Sequence, residues 1–178
     1  NGLKINKKLA TNIAKYVSRV SLSLEGSDTI NSYKMRKHKN FFKHTLYLID
    51  LFKELKIDVN VKTLVTKQNI NDIINIGKIL SKKRIKYWLL LKFLPLNKGL
   101  KITSKYNLTQ KEYEDLINKT KEEFPNIDIK SKNYELQEKK YCFIISNGKV
   151  ETYLKDKGDF EIGDLEKESL KDIIKKIK

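Results

Sequence analysis

Residues 19–28 read Arg-Val-Ser-Leu-Ser-Leu-Glu-Gly-Ser-Asp, and this stretch decides the fold. Apolar and polar residues alternate from Val20 to Glu25, which predicts a strand with one buried face and one polar face. Gly26 then interrupts the alternation, and two more polar residues follow it. Ligands in parallel α/β folds bind where strands end and loops begin, so we expect this polar strand end to face a site.

Two later segments have the same strand-like character and are separated by helical patterns. Residues 58–66 and 87–94 are rich in β-branched or large apolar side chains, which predicts two more strands. Apolar residues recur at helical spacing within residues 5–16, 40–55 and 71–80. Strands that alternate with helices predict a parallel sheet with right-handed crossovers, either open or closed part-way into a barrel.

The rest of the chain follows a different pattern. Residues 95–108 form a polar connection that is long enough to cover the mouth of a pocket. A Thr-x-x-Glu capping box opens a predicted helix over residues 109–124. The Asn-Gly pair at residues 147–148 predicts a tight hairpin between two strands, and a short helix is predicted over residues 169–177.

Composition and charge narrow the function classes. The chain has 178 residues, 39% of them hydrophobic, and this length and composition indicate one domain with a hydrophobic core. Its formal net charge is +16. Of the 38 basic residues only Arg19, Arg36 and Arg84 are arginines. Because arginine supplies most bidentate contacts to bases and phosphates, we interpret the charge mainly as a solvated lysine surface and disfavour nucleic-acid binding.

Cysteine content and hydropathy set further limits. Cys142 is the only cysteine, which excludes an internal disulfide and a cysteine-ligated cluster built by this chain alone. No apolar run is long enough to cross a bilayer, and no signal-peptide pattern opens the sequence. We therefore expect a cytoplasmic protein with no membrane partner.

The segments at residues 19–28, 59–69 and 87–95, in this order, resemble three consecutive barrel strands of the radical S-adenosylmethionine (SAM) superfamily. The resemblance implies an α/β fold, namely a partial, incomplete TIM-like barrel of parallel strands with helices outside, plus a small C-terminal α+β extension. It assigns residues 1–108 to the latter part of the barrel and residues 109–178 to an extension of helix, hairpin and terminal helix packed on it.

The same resemblance implies a SAM site at the carboxyl ends of the strands. In the superfamily a serine at the position of Ser23 hydrogen-bonds the methionyl part of SAM, and an arginine near the position of Arg36 pairs with the SAM carboxylate. Glu25 stands where aspartate is more usual, and Leu94 would contact the adenine ring. The side chain of Lys62 would face the barrel lumen. The expected SAM contacts are Ser23, Glu25, Arg36, Lys62 and Leu94, and the expected substrate contacts are Asn60 and Tyr87.

Radical SAM chemistry also needs a [4Fe–4S] cluster, which the superfamily holds with a Cys-x3-Cys-x2-Cys motif after the first strand. That motif is absent from these residues. The resemblance therefore implies the C-terminal part of an iron–sulfur oxidoreductase or activating enzyme, inactive by itself, whose upstream cluster half would help cleave SAM to a 5′-deoxyadenosyl radical. A flavodoxin or ferredoxin would supply the electron. The substrate, a small molecule or a peptide, and the catalytic residues are not assigned, and no metal ligand is assigned within the chain.

Two other function classes stay open. The chain can be a non-catalytic, lysine-rich α/β module that binds nucleic acid or an acidic protein partner through its excess charge. A TIM-type or flavodoxin-like enzyme of another kind is disfavoured, because the sequence has no paired carboxylates, nucleophile motif or phosphate-binding glycine loop.

Overall fold

The computed structural model of the protein describes residues 2–94, 103–132, 142–154 and 158–176. The chain divides into two compact units, residues 1–93 with 104–133 and residues 94–103 with 134–178. Each unit has its own sheet. None of the helices in the described ranges has the length and apolar character needed to cross a membrane.

The first unit is built on a four-stranded parallel sheet whose strand order, β1-β2-β3-β4, is also the order along the chain. In a doubly wound sheet the strand order reverses part-way across the sheet, whereas in a barrel neighbouring strands follow one another in chain order. The strands are β1 (Arg19–Ser23), β2 (Asp58–Val65), β3 (Tyr87–Lys92) and β4 (Asp128–Lys132). The helices that precede and connect them are α1 (Lys7–Ala14), α2 (Thr29–Arg36), α3 (Phe41–Glu54), α4 (Ile73–Lys82), α5 (Thr103–Tyr106) and α6 (Gln110–Glu123). A short 3-10 turn (Ile70–Asp72) precedes α4.

The two faces of this sheet differ sharply in burial. Leu22, Val61, Trp88 and Ile129 form one row across all four strands, and each of them is buried. This face packs with apolar side chains of the helices into the main hydrophobic core. The opposite face, here called the inner face, carries mainly polar side chains. The alternation read from the sequence of β1 therefore corresponds to a core face and a polar inner face.

The second unit contains a three-stranded antiparallel sheet and a short helix. Its elements are β5 (Cys142–Ile144), β6 (Lys149–Leu154), β7 (Gly158–Asp164) and α7 (Leu170–Lys175). Gly148 has a φ of +80°, as the predicted Asn-Gly hairpin requires. A Cβ atom on Gly163 would lie 2.5 Å from Cγ1 of the buried Ile173, so glycine permits the close packing of β7 and α7.

The expected fold class is confirmed: a partial set of parallel barrel strands with helices, plus a small antiparallel unit. Four short elements were not predicted: α2, α5, β4 and β7. Helix α2 has exposed apolar side chains at Ile30 and Tyr33, and β4 has a single apolar residue. Neither α2 nor β4 has the buried apolar face that identifies an amphipathic element.

The boundary between the two units differs from the boundary predicted from the sequence, which lies after residue 108. Helix α6 and strand β4 belong to the first unit, because β4 pairs with β3 along its whole length. The expected cover over residues 95–108 lies largely outside the described residues.

Candidate functional site

Glu25 and Arg36 form an ion pair at the carboxyl end of β1. Glu25 lies two residues beyond the strand, and only 3% of its surface is exposed. Arg36 ends α2; its Nε donates to Glu25 Oε2 at 2.5 Å, and its Nη2 donates to the other carboxylate oxygen. The guanidinium also lies over the Phe41 ring, 5.2 Å from the ring centre. A buried carboxylate needs such a partner, so the pair fixes α2 over the end of β1.

The loop after β1 passes close beneath α2 at Gly26. A Cβ atom at this position would lie 2.2 Å from the backbone nitrogen of Ser32 and 2.6 Å from the carbonyl carbon of Asn31. Both are backbone atoms, which cannot rotate away, so the approach requires glycine. Asp28 caps the N-terminus of α2, because its Oδ1 accepts a hydrogen bond from the backbone amide of Asn31 at 2.7 Å.

Asp72 joins this loop to the segment that follows β2. Its Oδ2 accepts from the backbone amide of Ser27 at 2.7 Å, and its Oδ1 accepts from the Ser27 hydroxyl at 2.5 Å. The side-chain Nδ2 of Asn75 also donates to Oδ1, at 3.3 Å. The carboxylate is buried, and these three donors satisfy it.

Asn69 makes a second link between the ends of β1 and β2. Its side-chain amide donates to the carbonyl of Glu25 at 3.1 Å and to the carbonyl of Leu64 at 2.9 Å. Its Oδ1 accepts from the Thr66 amide at 2.8 Å. One buried side chain thus satisfies backbone groups from both strand ends and holds them in a fixed relation.

A buried relay reaches the same loop from the core. Trp88 Nε1 on β3 donates to Thr63 Oγ1 on β2 at 2.8 Å. The Thr63 hydroxyl then donates to the carbonyl of Leu24 at 2.6 Å. The relay positions the backbone one residue beyond Ser23, so the end of β1 is supported from the helix side as well.

The predicted site residues of the first unit fall into three pairs. Ser23 and Lys62 are register partners on the inner face; Ser23 is half-buried and Lys62 is exposed. Asn60 and Tyr87 are register partners one row nearer the amino ends of the strands, and both are half-buried. The third pair is Glu25 with Arg36. Leu94 belongs to the second unit, so its adenine contact stays a prediction.

The residues that organise this edge of the sheet were not among the predicted site residues. They are Ser27, Thr66, Asn69 and Asp72. One signal could have indicated them: polar residues follow directly after the predicted strands β1 and β2. Parallel strands end at one edge, so polar clusters after neighbouring strands meet there.

The inner face of the sheet offers polar groups near the carboxyl end of β1. Ser23 offers a hydroxyl and Lys62 an ammonium on the same side of the sheet, and both groups can hydrogen-bond a carboxylate. The charge of Arg36 is neutralised by Glu25 within the chain, which differs from the expected use of Arg36 on a cofactor carboxylate.

The residues present do not fit an iron–sulfur cluster, because Cys142 is the only cysteine in the sequence. Within the described ranges, no group of three or more His, Cys, Asp or Glu side chains is arranged to hold a metal ion.

Solved structures with the same fold exist, although no protein-family model and no curated protein matches the chain. Streptococcus suis SuiB bound to S-adenosylmethionine matches with a TM-score of 0.75 and 16% identity, over 97% of this chain and 46% of SuiB. SuiB bound to the precursor peptide SuiA matches with a TM-score of 0.78 and 16% identity, over 98% and 46%. Native anSMEcpe with bound AdoMet and Kp18Cys peptide matches with a TM-score of 0.69 and 21% identity, over 97% and 55%.

The chain thus spans about half the length of the structures it matches. At these identities the likeness shows the fold. The resemblance stated from the sequence is confirmed at that level: the chain has a radical SAM-like fold.

Proposed function

We propose that this chain, which has a radical SAM-like fold, is the latter part of a radical SAM iron–sulfur enzyme and forms part of its SAM site. The observation that carries the proposal is the match of nearly the whole chain to about half of SuiB and of anSMEcpe, in structures that contain S-adenosylmethionine. The polar carboxyl edge of the sheet supports it, because parallel α/β folds bind their ligands at this edge.

In this proposal the Lys62 ammonium would pair with the methionyl carboxylate of SAM, and the Ser23 hydroxyl would accept a hydrogen bond from the methionyl amino group. Glu25 and Arg36 would act indirectly: their ion pair, together with Asn69, fixes the backbone beside Ser23. When it is bound and reduced, SAM supplies a 5′-deoxyadenosyl radical. The cluster that provides the electron would belong to a part of the protein outside these residues.

A peptide is the substrate class that we propose. The support is that the matched structures include SuiB with the precursor peptide SuiA and anSMEcpe with the Kp18Cys peptide. An inner face with polar side chains at Asn60 and Tyr87 suits hydrogen bonds to a peptide backbone.

The test is SAM binding by the protein expressed from its complete gene and purified anaerobically. Titration calorimetry should show one SAM site per chain, and Ser23→Ala should weaken binding about fivefold, as expected for loss of one hydrogen bond. Ser21→Ala is the matched control, because Ser21 lies on the same strand and face, one row further from the carboxyl edge. Its affinity should be unchanged.

The activity arm measures 5′-deoxyadenosine release with dithionite as reductant. Release that requires SAM and an intact cluster would support the enzyme class. A protein that binds no SAM would contradict the proposal, as would equal losses of affinity in the two serine variants.

A further inference from the structure

The amino-terminal edge of the parallel sheet, opposite the edge described above, carries a basic cavity. Its volume is about 820 Å³, and it is lined by the starts of β1 to β4, by the turns that lead into β2 and β3, and by part of the inner face. Seven basic and two acidic side chains line it. The basic residues include Lys56, Lys62, Arg84 and Lys86.

Both acidic side chains of the cavity are already neutralised. Asp58 pairs with Arg19 at 3.6 Å, and Asp128 pairs with Lys130 at 2.9 Å. By contrast, the basic side chains at positions 56, 62, 84 and 86 have no ion pair within the described part of the chain. The cavity therefore holds an uncompensated positive charge, which attracts an anion.

Two of these cations stand at equivalent positions in two neighbouring turns. Helix α3 ends in a Schellman motif: the Lys56 amide donates to the Lys53 carbonyl at 2.9 Å, and the Ile57 amide donates to the Phe52 carbonyl at 2.9 Å. Helix α4 ends in the same motif, in which Arg84 takes the place of Lys56. Strands β2 and β3 are adjacent, so the two turns lie side by side.

The backbone of both turns would favour glycine. Lys56 has a φ of +59° and Arg84 a φ of +52°, and this left-handed conformation is strained for any residue that has a Cβ atom. A long cationic side chain at both turns thus costs local stability and directs charge into the cavity. Backbone strain of this kind often accompanies a binding role.

We propose that the basic cavity binds a small anionic ligand that carries two or more phosphate groups. The volume is that of a small-molecule site, whereas non-specific nucleic-acid binding uses open basic grooves that follow the backbone. Arginine offers a fork that matches phosphate oxygens, and lysine offers a point charge. Tyr87 and Leu89 line the same cavity and give the organic part of the ligand a less polar wall. The cavity shares Lys62 with the proposed SAM contacts, and Asn60 and Tyr87 with the proposed substrate contacts. The variants below therefore change only Lys56 and Arg84, which belong to neither set.

Calorimetric titration of the purified protein with inorganic triphosphate tests the inference. We expect one site per chain and an affinity that falls steeply as salt is added. Arg84→Gly and Lys56→Gly should each weaken binding about tenfold. Each should also raise the melting temperature by about 2 °C, because glycine relieves the strain. Arg84→Lys should keep most of the affinity. SAM binding should be unchanged in all three variants.

Lys37→Gly is the matched control. Lys37 also has a left-handed backbone, with a φ of +55°, but it follows α2 and does not line the cavity. This variant should keep its full affinity for triphosphate. Equal weakening by Lys37→Gly would mean that diffuse surface charge binds the anion, and it would overturn the proposal. Binding of a single-stranded oligonucleotide without binding of triphosphate would overturn it in favour of a nucleic-acid surface.

Discussion

The carboxylate of Asp72 accepts hydrogen bonds from both the backbone amide and the hydroxyl of Ser27. Asp72 and Ser27 are 45 positions apart in the chain. Ser27 lies in the loop after β1, and Asp72 ends the short 3-10 turn after β2. The pair therefore ties two neighbouring strand ends together at the carboxyl edge of the sheet, the edge of the proposed SAM site. Its strength determines how rigidly that edge is held.

Replacing Asp72 should destabilise the first unit. Asp72→Ala leaves both Ser27 donors without their buried acceptor. A hydrogen bond to a charged group contributes about 1.5–3 kcal/mol to stability. We expect the free energy of unfolding, measured by urea denaturation, to fall by about 3 kcal/mol. Ser27→Ala removes one of the two bonds and should cost about 1 kcal/mol.

Asp50→Ala is the control for this prediction. Asp50 is an exposed carboxylate that pairs with Lys83 across the surface, and such pairs contribute at most about 1 kcal/mol. Equal losses in Asp50→Ala and Asp72→Ala would contradict the structural role assigned to Asp72.

A double-mutant cycle tests the ion pair of Glu25 and Arg36. Glu25→Gln should cost about 2 kcal/mol, because it leaves the guanidinium facing a neutral amide. The estimate is at the low end for buried pairs, since 36% of the Arg36 side chain is exposed to screening solvent. The double variant with Arg36→Gln should cost clearly less than the sum of the two single variants. Additive losses would show that the two side chains do not depend on each other.

The strands and the long helices could be predicted because their side chains repeat with the period of the element. Val59 and Val61 are buried and alternate with the half-buried Asn60 and the exposed Lys62, as the sequence indicated. The polar residues after β1 and β2 could have indicated the edge that they occupy, but the hydrogen bonds between them could not be predicted. Asp72 and Ser27 meet only because two strands end at the same edge, and no local pattern in either segment encodes a partner 45 residues away.

Arg36 shows one limit of reasoning from residue type. Its position near a strand end predicted a contact with a cofactor carboxylate, which stays a prediction, whereas its ion pair with Glu25 was not predicted. Strand β4 shows a different limit: its residues Asp-Ile-Lys-Ser-Lys contain a single apolar side chain. Its pairing with β3, rather than its own sequence pattern, makes it a strand.

Tyr113 should make the stability of the protein sensitive to high pH. Its hydroxyl donates to the carbonyl of Leu90 at 2.8 Å, and burial raises the pKa of Tyr113 to about 12. The folded state therefore holds this proton more tightly than the unfolded chain, in which the pKa is about 10. The resulting stabilisation is fully present below about pH 10 and is lost as the pH rises towards about 12.

Tyr113→Phe isolates this effect, because other groups titrate equally in both proteins. The variant should be about 1 kcal/mol less stable at neutral pH, since the Leu90 carbonyl loses a donor. Urea denaturation of the two proteins should show this difference shrinking between about pH 10 and about pH 12. A difference that stays constant over that range would contradict the burial of the hydroxyl.

The capping box at the start of α6 should make the stability sensitive to acid. The amide and hydroxyl of Thr109 both donate to Glu112 Oε2 at 2.8 Å, and the Glu112 amide donates to Thr109 Oγ1 at 3.1 Å. These bonds lower the pKa of Glu112 below its ordinary value of 4.5, with the bond from the Thr109 backbone as the largest cause. Because the pKa is lowered on folding, the ionised carboxylate stabilises the fold at pH values above its ordinary pKa. This contribution is lost as the pH falls through the lowered pKa.

Glu112→Gln keeps an oxygen that can accept the Thr109 amide but removes the ionisable group. Thermal melts from neutral to acidic pH should show wild type melting higher than this variant at neutral pH, with the gap closing in acid. Thr109→Ala removes the hydroxyl that serves both as donor and as acceptor, so it should cost about 1 kcal/mol at neutral pH and reduce the acid sensitivity. If the melting temperatures of wild type and Glu112→Gln ran parallel over the whole range, the carboxylate would have no part in the cap. In that case the hydroxyl of Thr109 alone would hold the start of α6.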